Sequence, residues 1–173
     1  MYKKTLLAAA LLAFGGAALT AQAATTSPAT ATFQVKMKIL ASCDVTAGTA
    51  SDIRIGAAGG VDANSGSNSG SNDIHVQCSN GTPYFVGLAP SNSNTAGLGA
   101  MTGTTGDNVP YQLHSVSATG PVWGNTATST AVGNGVAGTG DGTSQSIPVY
   151  AVAPSANFKP GDYSDIVTVN VNF

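Results

Sequence analysis

Two cysteines, two histidines and eight aspartates carry most of the reactive chemistry available to this chain. Cys43 and Cys78 lack the C-x-x-C spacing of a redox or zinc pair. His75 near Cys78 completes only a poor ligand set, so no metal site is expected. Gly133-Asn134-Gly135-Val136-Ala137-Gly138 matches G-x-G-x-x-G literally. A dinucleotide site needs a strand before that run and a helix after it. The Thr-Gly-Asp-Gly-Thr-Ser that follows cannot start a stable helix, which leaves a glycine-rich loop. The run from Gly138 to Gly142 resembles a calcium-binding turn but offers one carboxylate in a single copy. His75 and His114 fall at alternate positions of strand-like runs, and no G-x-S-x-G elbow marks a serine for either. Asp162 and Asp165 are close enough in sequence to suggest a hydrolytic carboxylate pair. Their place at a turn and strand start argues for shaping the backbone. No catalytic residue, metal or cofactor is expected, and the chain does not read as an enzyme.

The elements that would position these residues are strands. Residues 1–23 are set apart first: Lys3 and Lys4, an apolar run from Leu6 to Leu19, then Ala21-Gln22-Ala23 have the order of a secretory signal, with cleavage expected after Ala23. The apolar run is short of the roughly 20 residues that span a bilayer. About 150 residues remain, enough for one domain with one core. An exported chain with two cysteines is expected to join Cys43 to Cys78 in a disulfide. Closing that loop removes roughly 3–4 kcal/mol of unfolded-state entropy on the chain-entropy model. Beyond the signal only Lys36, Lys38, Arg54 and Lys159 are basic, against eight aspartates and no glutamate. No basic patch is available for nucleic acid. Helix formers are scarce while Thr, Val, Ser, Asn and Gly abound, which argues against a helical domain.

Period-two alternation begins at Phe33, Val35, Met37 and Ile39, interleaved with Gln34, Lys36 and Lys38. Further strands are expected at 42–46, 51–56 and 73–78. The last of these is expected to pair with 84–89 in a hairpin across the turn at 79–83. Pro110 restricts the strand at 109–116 to an edge or a strand start. Strands at 145–153 and 163–173 are joined through Pro160-Gly161. Residues 57–72, 91–107 and 125–144 read as flexible Gly/Ser-rich connections. Short strands with turn signals and no helix predict a β-sandwich. In the terminal run, Val167, Val169, Val171 and Phe173 alternate with Thr168, Asn170 and Asn172, as in a core strand. Periodicity allows two fates for the first strand. It pairs within its own sheet, or it leaves the body and fills a groove in a neighbour.

Taken together, these features resemble a known family. The order is signal, alternating strand, Cys43, Gly-rich loop, Ile74-His75-Val76-Gln77-Cys78, and the ending Gly161-Asp162-Tyr163-Ser164-Asp165-Ile166-Val167-Thr168-Val169-Asn170-Val171-Asn172-Phe173. This is similar to the spore coat protein U-like domain, and within it to the major-pilin subunits of archaic (Csu-type) chaperone–usher pili. The resemblance implies an all-β, incomplete immunoglobulin-like β-sandwich completed by donor-strand exchange. It implies a donor extension over residues 24–41 and a sandwich domain over 42–173. Phe33, Val35, Met37 and Ile39 would insert, and Val167, Val169, Val171 and Phe173 would border the acceptor groove and meet the chaperone. The implied partners are identical or related pilin subunits, a periplasmic chaperone and an outer-membrane usher. The implied route runs through the periplasm to a pilus on the cell surface, with roles in adhesion and biofilm. Two alternatives stand beside it. One is a self-contained secreted or spore-coat-type structural sandwich. The other is a secreted hydrolase or carbohydrate-binding domain using Trp123 as a sugar platform.

Overall fold

The computed structural model describes residues 27–47, 51–57, 60–104 and 106–173. The signal reading of residues 1–23 lies outside them. The chain divides into two units, residues 1–38 and 39–173. The described residues of the first unit contain no helix or strand. Phe33 is 88 % exposed and Met37 82 %. The strand expected at 33–39 is therefore not formed, because alternation makes a strand only where a neighbour supplies the hydrogen-bonding ladder. No helix among the described residues is long and apolar enough to cross a membrane.

The second unit is all-β. Its strands are β1 (Cys43–Thr46), β2 (Asn68–Cys78), β3 (Pro83–Pro90), β4 (Leu98–Gly103), β5 (Asn108–Ser115), β6 (Val136–Thr139), β7 (Ser144–Ala153), β8 (Tyr163–Ser164) and β9 (Val167–Asn172). One sheet runs β1-β2-β7-β5-β4-β8, and a smaller one runs β6-β3-β9. All of these pairings are antiparallel. The sheets face each other across a core of Val76, Val86, Leu88, Leu113 and Trp123, each at most 1 % exposed. Alternation works as expected in β2, where Ile74, Val76 and Cys78 are buried and His75 and Gln77 exposed.

Several sequence expectations are corrected. The strands around 74–78 and 84–89 do not form a hairpin, since β2 and β3 belong to different sheets. The chain crosses between layers at the turn because both strands bury their apolar sides in the shared core. Residues 51–56 make no strand. They run beside β2, held by Asn72 Nδ2 donating to the Asp52 carbonyl at 2.9 Å and Gly56 N donating to the Ser69 carbonyl at 3.2 Å. Half-buried Ile53 and Ile55 pack on the core. The glycine-rich connections also hold order: 68–72 extend β2 against β7, while β4 and β6 lie inside 91–107 and 125–144.

Tyrosines explain part of this order. Tyr111 lies opposite Gly99, Tyr163 opposite Gly103, and Tyr84 opposite Gly138. A Cβ added at Gly99 would fall 2.1 Å from the Tyr111 ring, and one at Gly138 2.2 Å from the Tyr84 ring. Each ring covers a bare glycine backbone, so weak strand formers become paired strands. Pro110 is the third residue of β5, so of the two expected positions it takes the strand start, where β5 is paired on the β4 side alone. The β5–β7 ladder covers Gln112 to Ser115, so the missing N–H of Pro110 falls beyond it.

Candidate functional site

The terminal run expected as one strand is broken at Asp165 and Ile166. Tyr163 and Ser164 pair with β4 in the large sheet, whereas β9 pairs with β3 in the small one. This switch makes β9 an edge strand, with β3 on one side and no strand on the other among the described residues. β1 is likewise the edge of the large sheet and lies near β9. The disulfide between Cys43 and Cys78, which sit opposite each other in register, fastens β1 to β2.

Between the layers lies a cleft of about 1140 Å³. Its lining includes Val167 and Val169 of β9, Ile53 and Ile55 beside β2, and Ala151 and Ala153 of β7. Val167, Val169 and Val171 are half-buried against the core, while Phe173 is 51 % exposed. The arrangement is a trough of mixed lining, apolar along β9, β7, Ile53 and Ile55 and polar at Asp52, Arg54, Lys159 and Asp162, beside a strand edge unpaired among the described residues. Backbone groups on such an edge can pair with an added strand.

The switch point is latched by a pair that sequence reasoning missed. Tyr111 donates its hydroxyl to Asp165 Oδ2 at 2.7 Å, and Ile166 N donates to Asp165 Oδ1 at 2.8 Å. Burial works to raise the Asp165 carboxyl. Hydrogen bonds from Ser91, Tyr111 and the backbone of Ile166 and Ala100 outweigh it and hold the group below its ordinary value. Tyr111 moves far upward through burial, then through its bond to Asp165 and the charge there. The signs follow. The depressed carboxylate stabilises the fold above its ordinary value near 4 and loses that contribution as pH falls through the lowered one. The raised phenol contributes below about pH 10 and loses this at higher pH. Asp165→Asn is expected to lessen the fall in urea midpoint between pH 7 and pH 3; an unchanged fall would show that the latch carries no acid sensitivity. The only signal in the sequence was the aspartate two residues before a valine-alternating strand.

The remaining candidates do not converge on chemistry. His75 is exposed, and His114 Nδ1 is 2.8 Å from the Gly120 carbonyl oxygen. Asp162 is exposed and Asp165 is committed to its latch. The G-x-G-x-x-G run turns at Gly133, where φ is 54°, and enters β6 with no helix. Asp141 accepts hydrogen bonds from Thr143 Oγ1 and N at 2.7 and 2.8 Å, which lower its carboxyl from the ordinary value. No group of three or more His, Cys, Asp or Glu side chains suited to a metal occurs among the described residues. Trp123, weighed above as a sugar platform, is fully buried and so presents no face to a ligand.

Comparison with known proteins bears on this architecture. No curated protein matches the chain. Among solved structures, one similar chain is in the CsuC–CsuE chaperone–tip adhesion subunit pre-assembly complex from the archaic chaperone–usher Csu pili of Acinetobacter baumannii. Its TM-score is 0.50 at 23 % identity, covering 78 % of this chain and 40 % of that one. This chain thus spans well under half the length of that protein, and at this identity the likeness is one of fold. Another, in a chaperone–tip adhesin complex of CFA/I fimbriae, has a TM-score of 0.40 at 14 % identity and covers 75 % of this chain and 41 % of that one. Residues 29–170 match the Spore Coat Protein U domain, so the chain belongs to that structural, non-enzymatic family.

Proposed function

We propose that this chain is a structural subunit of a surface pilus, assembled by donor-strand complementation. The observation that carries the reading is the cleft open beside edge strand β9, with Val167, Val169, Ile53, Ile55, Leu88 and Leu113 in its lining. Phe33, Val35, Met37 and Ile39 of one copy insert into the cleft of the next, between β9 and the Cys43-bearing edge. Val167, Val169, Val171 and Phe173 form one wall of that groove. Burial of each inserted side chain stabilises the joint by roughly 1.5–3 kcal/mol, and β-ladder hydrogen bonds set its direction. Before assembly a periplasmic chaperone occupies the same groove, and an outer-membrane usher exchanges it for the donor. The subunit is exported through the periplasm to the cell surface. The chaperone role draws support from the fold likeness to a chaperone–subunit complex.

Deletion of residues 24–40 is expected to leave a subunit that still binds its chaperone and forms no fibres. Electron microscopy and co-purification measure the two properties, and fibres from the deleted chain would show the donor to be elsewhere. The family match also favours a second reading, a self-contained coat-type sandwich. It expects a stable monomer on size-exclusion chromatography without a co-expressed chaperone, where the pilus reading expects aggregation.

A further inference from the structure

Strands β4 and β9 each have six residues, and neither contains a charge or a proline, the usual guards of an exposed strand edge. On the side away from β5, β8 covers only Thr102 and Gly103 of β4. The rest of that edge is closed by side chains. Asn94 Oδ1 accepts from Leu98 N at 3.2 Å, and Asn92 Nδ2 donates to the Leu98 carbonyl at 3.0 Å. Asn94 N donates to Asn92 Oδ1 at 3.0 Å, so the two asparagines brace one another. The next pair in the β4–β8 register would set Asp165 opposite Met101. There the ladder stops, and the Asp165 carboxylate takes the Ala100 amide together with the Ser91 hydroxyl. The free edge of β9 is different. Leu88 N donates to the Gly124 carbonyl, away from β9, so Leu88 and Val169 form a non-hydrogen-bonded pair. The backbone groups of Val167, Val169 and Val171 therefore point to the free edge, where no hydrogen bond reaches them among the described residues.

We propose that Asn92, Asn94 and Asp165 form a side-chain cap that closes β4 to strand addition by a second copy of this chain, leaving β9 as the accepting edge. The inference rests on the donor-strand reading for what β9 accepts, while the closure of β4 stands on its own geometry. A strand added to β4 needs the Leu98 N–H, the Leu98 carbonyl and the Ala100 N–H as ladder partners. The cap holds all three. An incoming strand would exchange these bonds one for one and still bear the entropy cost of association, so addition at β4 gains nothing. At β9 the edge groups have no such bonds to give up. Leu98 is 45 % exposed beside the cap. Without its cap β4 would therefore present an uncharged edge with an exposed apolar side chain, the composition that templates edge-to-edge pairing.

The test is hydrogen–deuterium exchange of the full mature chain as a function of its concentration, with circular dichroism establishing that each variant folds. In the unsubstituted chain, protection at 167–171 is expected to grow with concentration while exchange at 98–100 stays constant. Asn92→Ala with Asn94→Ala is expected to add concentration-dependent protection at 98–100. By mass action it reaches about 10-fold at about ten times the dissociation constant. Adding Leu98→Lys to that pair is expected to remove the new protection, since a lysine on an edge strand blocks pairing. If the double variant does not fold, Asn92→Ala alone decides, because it bares the Leu98 carbonyl and keeps the Asn94 acceptor. Concentration-dependent protection at 98–100 in the unsubstituted chain overturns the cap. So does its absence from the folded variant, or its persistence after Leu98→Lys. An unsubstituted chain with no concentration-dependent protection at 167–171 overturns instead the reading of β9 as the accepting edge, and closure of β4 is still decided at 98–100.

Discussion

Trp123→Ala is expected to lower the unfolding free energy by about 3–5 kcal/mol, the range for deleting a large buried aromatic. Trp123 is fully buried, and it joins the two sheets through two hydrogen bonds. Its backbone N donates to the Leu113 carbonyl of β5 at 2.9 Å, and its indole Nε1 donates to the Val86 carbonyl of β3 at 2.8 Å. Removing the ring leaves a cavity between layers and strips the Val86 carbonyl of a buried donor. Domains of this size are stable by only about 5–15 kcal/mol, so the loss is a large share of the total. Urea unfolding followed by circular dichroism measures it as a lower midpoint. Trp123→Phe keeps most of the buried area and loses the indole bond, so its cost should be nearer 1 kcal/mol. Equal costs for the two variants would show that ring burial contributes little and the hydrogen bond dominates.

Removal of the disulfide should have an effect of similar size. Cys43 and Cys78 are 35 residues apart and close a loop containing the 51–56 segment and most of β2. The chain-entropy model gives about 4 kcal/mol for a loop of this length. β1 has only four residues and pairs with β2 alone, so its ladder is a weak hold by itself. Reduction or Cys43→Ala with Cys78→Ala is thus expected to lower the urea midpoint. It is also expected to raise amide exchange first in β2 residues 75–78, whose partners on β1 would fray. A midpoint unaffected by dithiothreitol would show that the reduced chain holds β1 in place without the bond.

The fold class was legible because alternation is a local property. In the Ile74–Cys78 part of β2, in β3 and in β5 up to Leu113 the buried alternate residues carry apolar or aromatic side chains and each strand has partners on both sides, so pattern and structure agree. Legibility failed where pairing depends on the partner's identity. β4 and β6 consist largely of small residues and look like loops, yet Tyr111, Tyr163 and Tyr84 on neighbouring strands cover their glycines. Segment 51–56 shows the opposite failure. Its Ile53 and Ile55 alternate correctly, but it meets β2 through side-chain and single backbone bonds instead of a ladder.

The candidate site divides along the same line. Val167, Val169 and Val171 announce a half-buried strand in sequence, and Phe33, Val35, Met37 and Ile39 announce an apolar face, which is exposed in this chain. Composition, the cysteine pair and these alternations, all short-range features, were enough by themselves to specify an all-β chain with a disulfide. Only the tertiary structure decided that the chain switches sheets at Asp165, leaving β9 an edge, and that Ala151 and Ala153 line an unfilled trough beneath it. An edge and a void are defined by what is missing from the far side of a strand or side chain. That information belongs to residues distant in sequence, here Tyr111 on β5 and the Cys43–Cys78 bond, which set where each sheet ends.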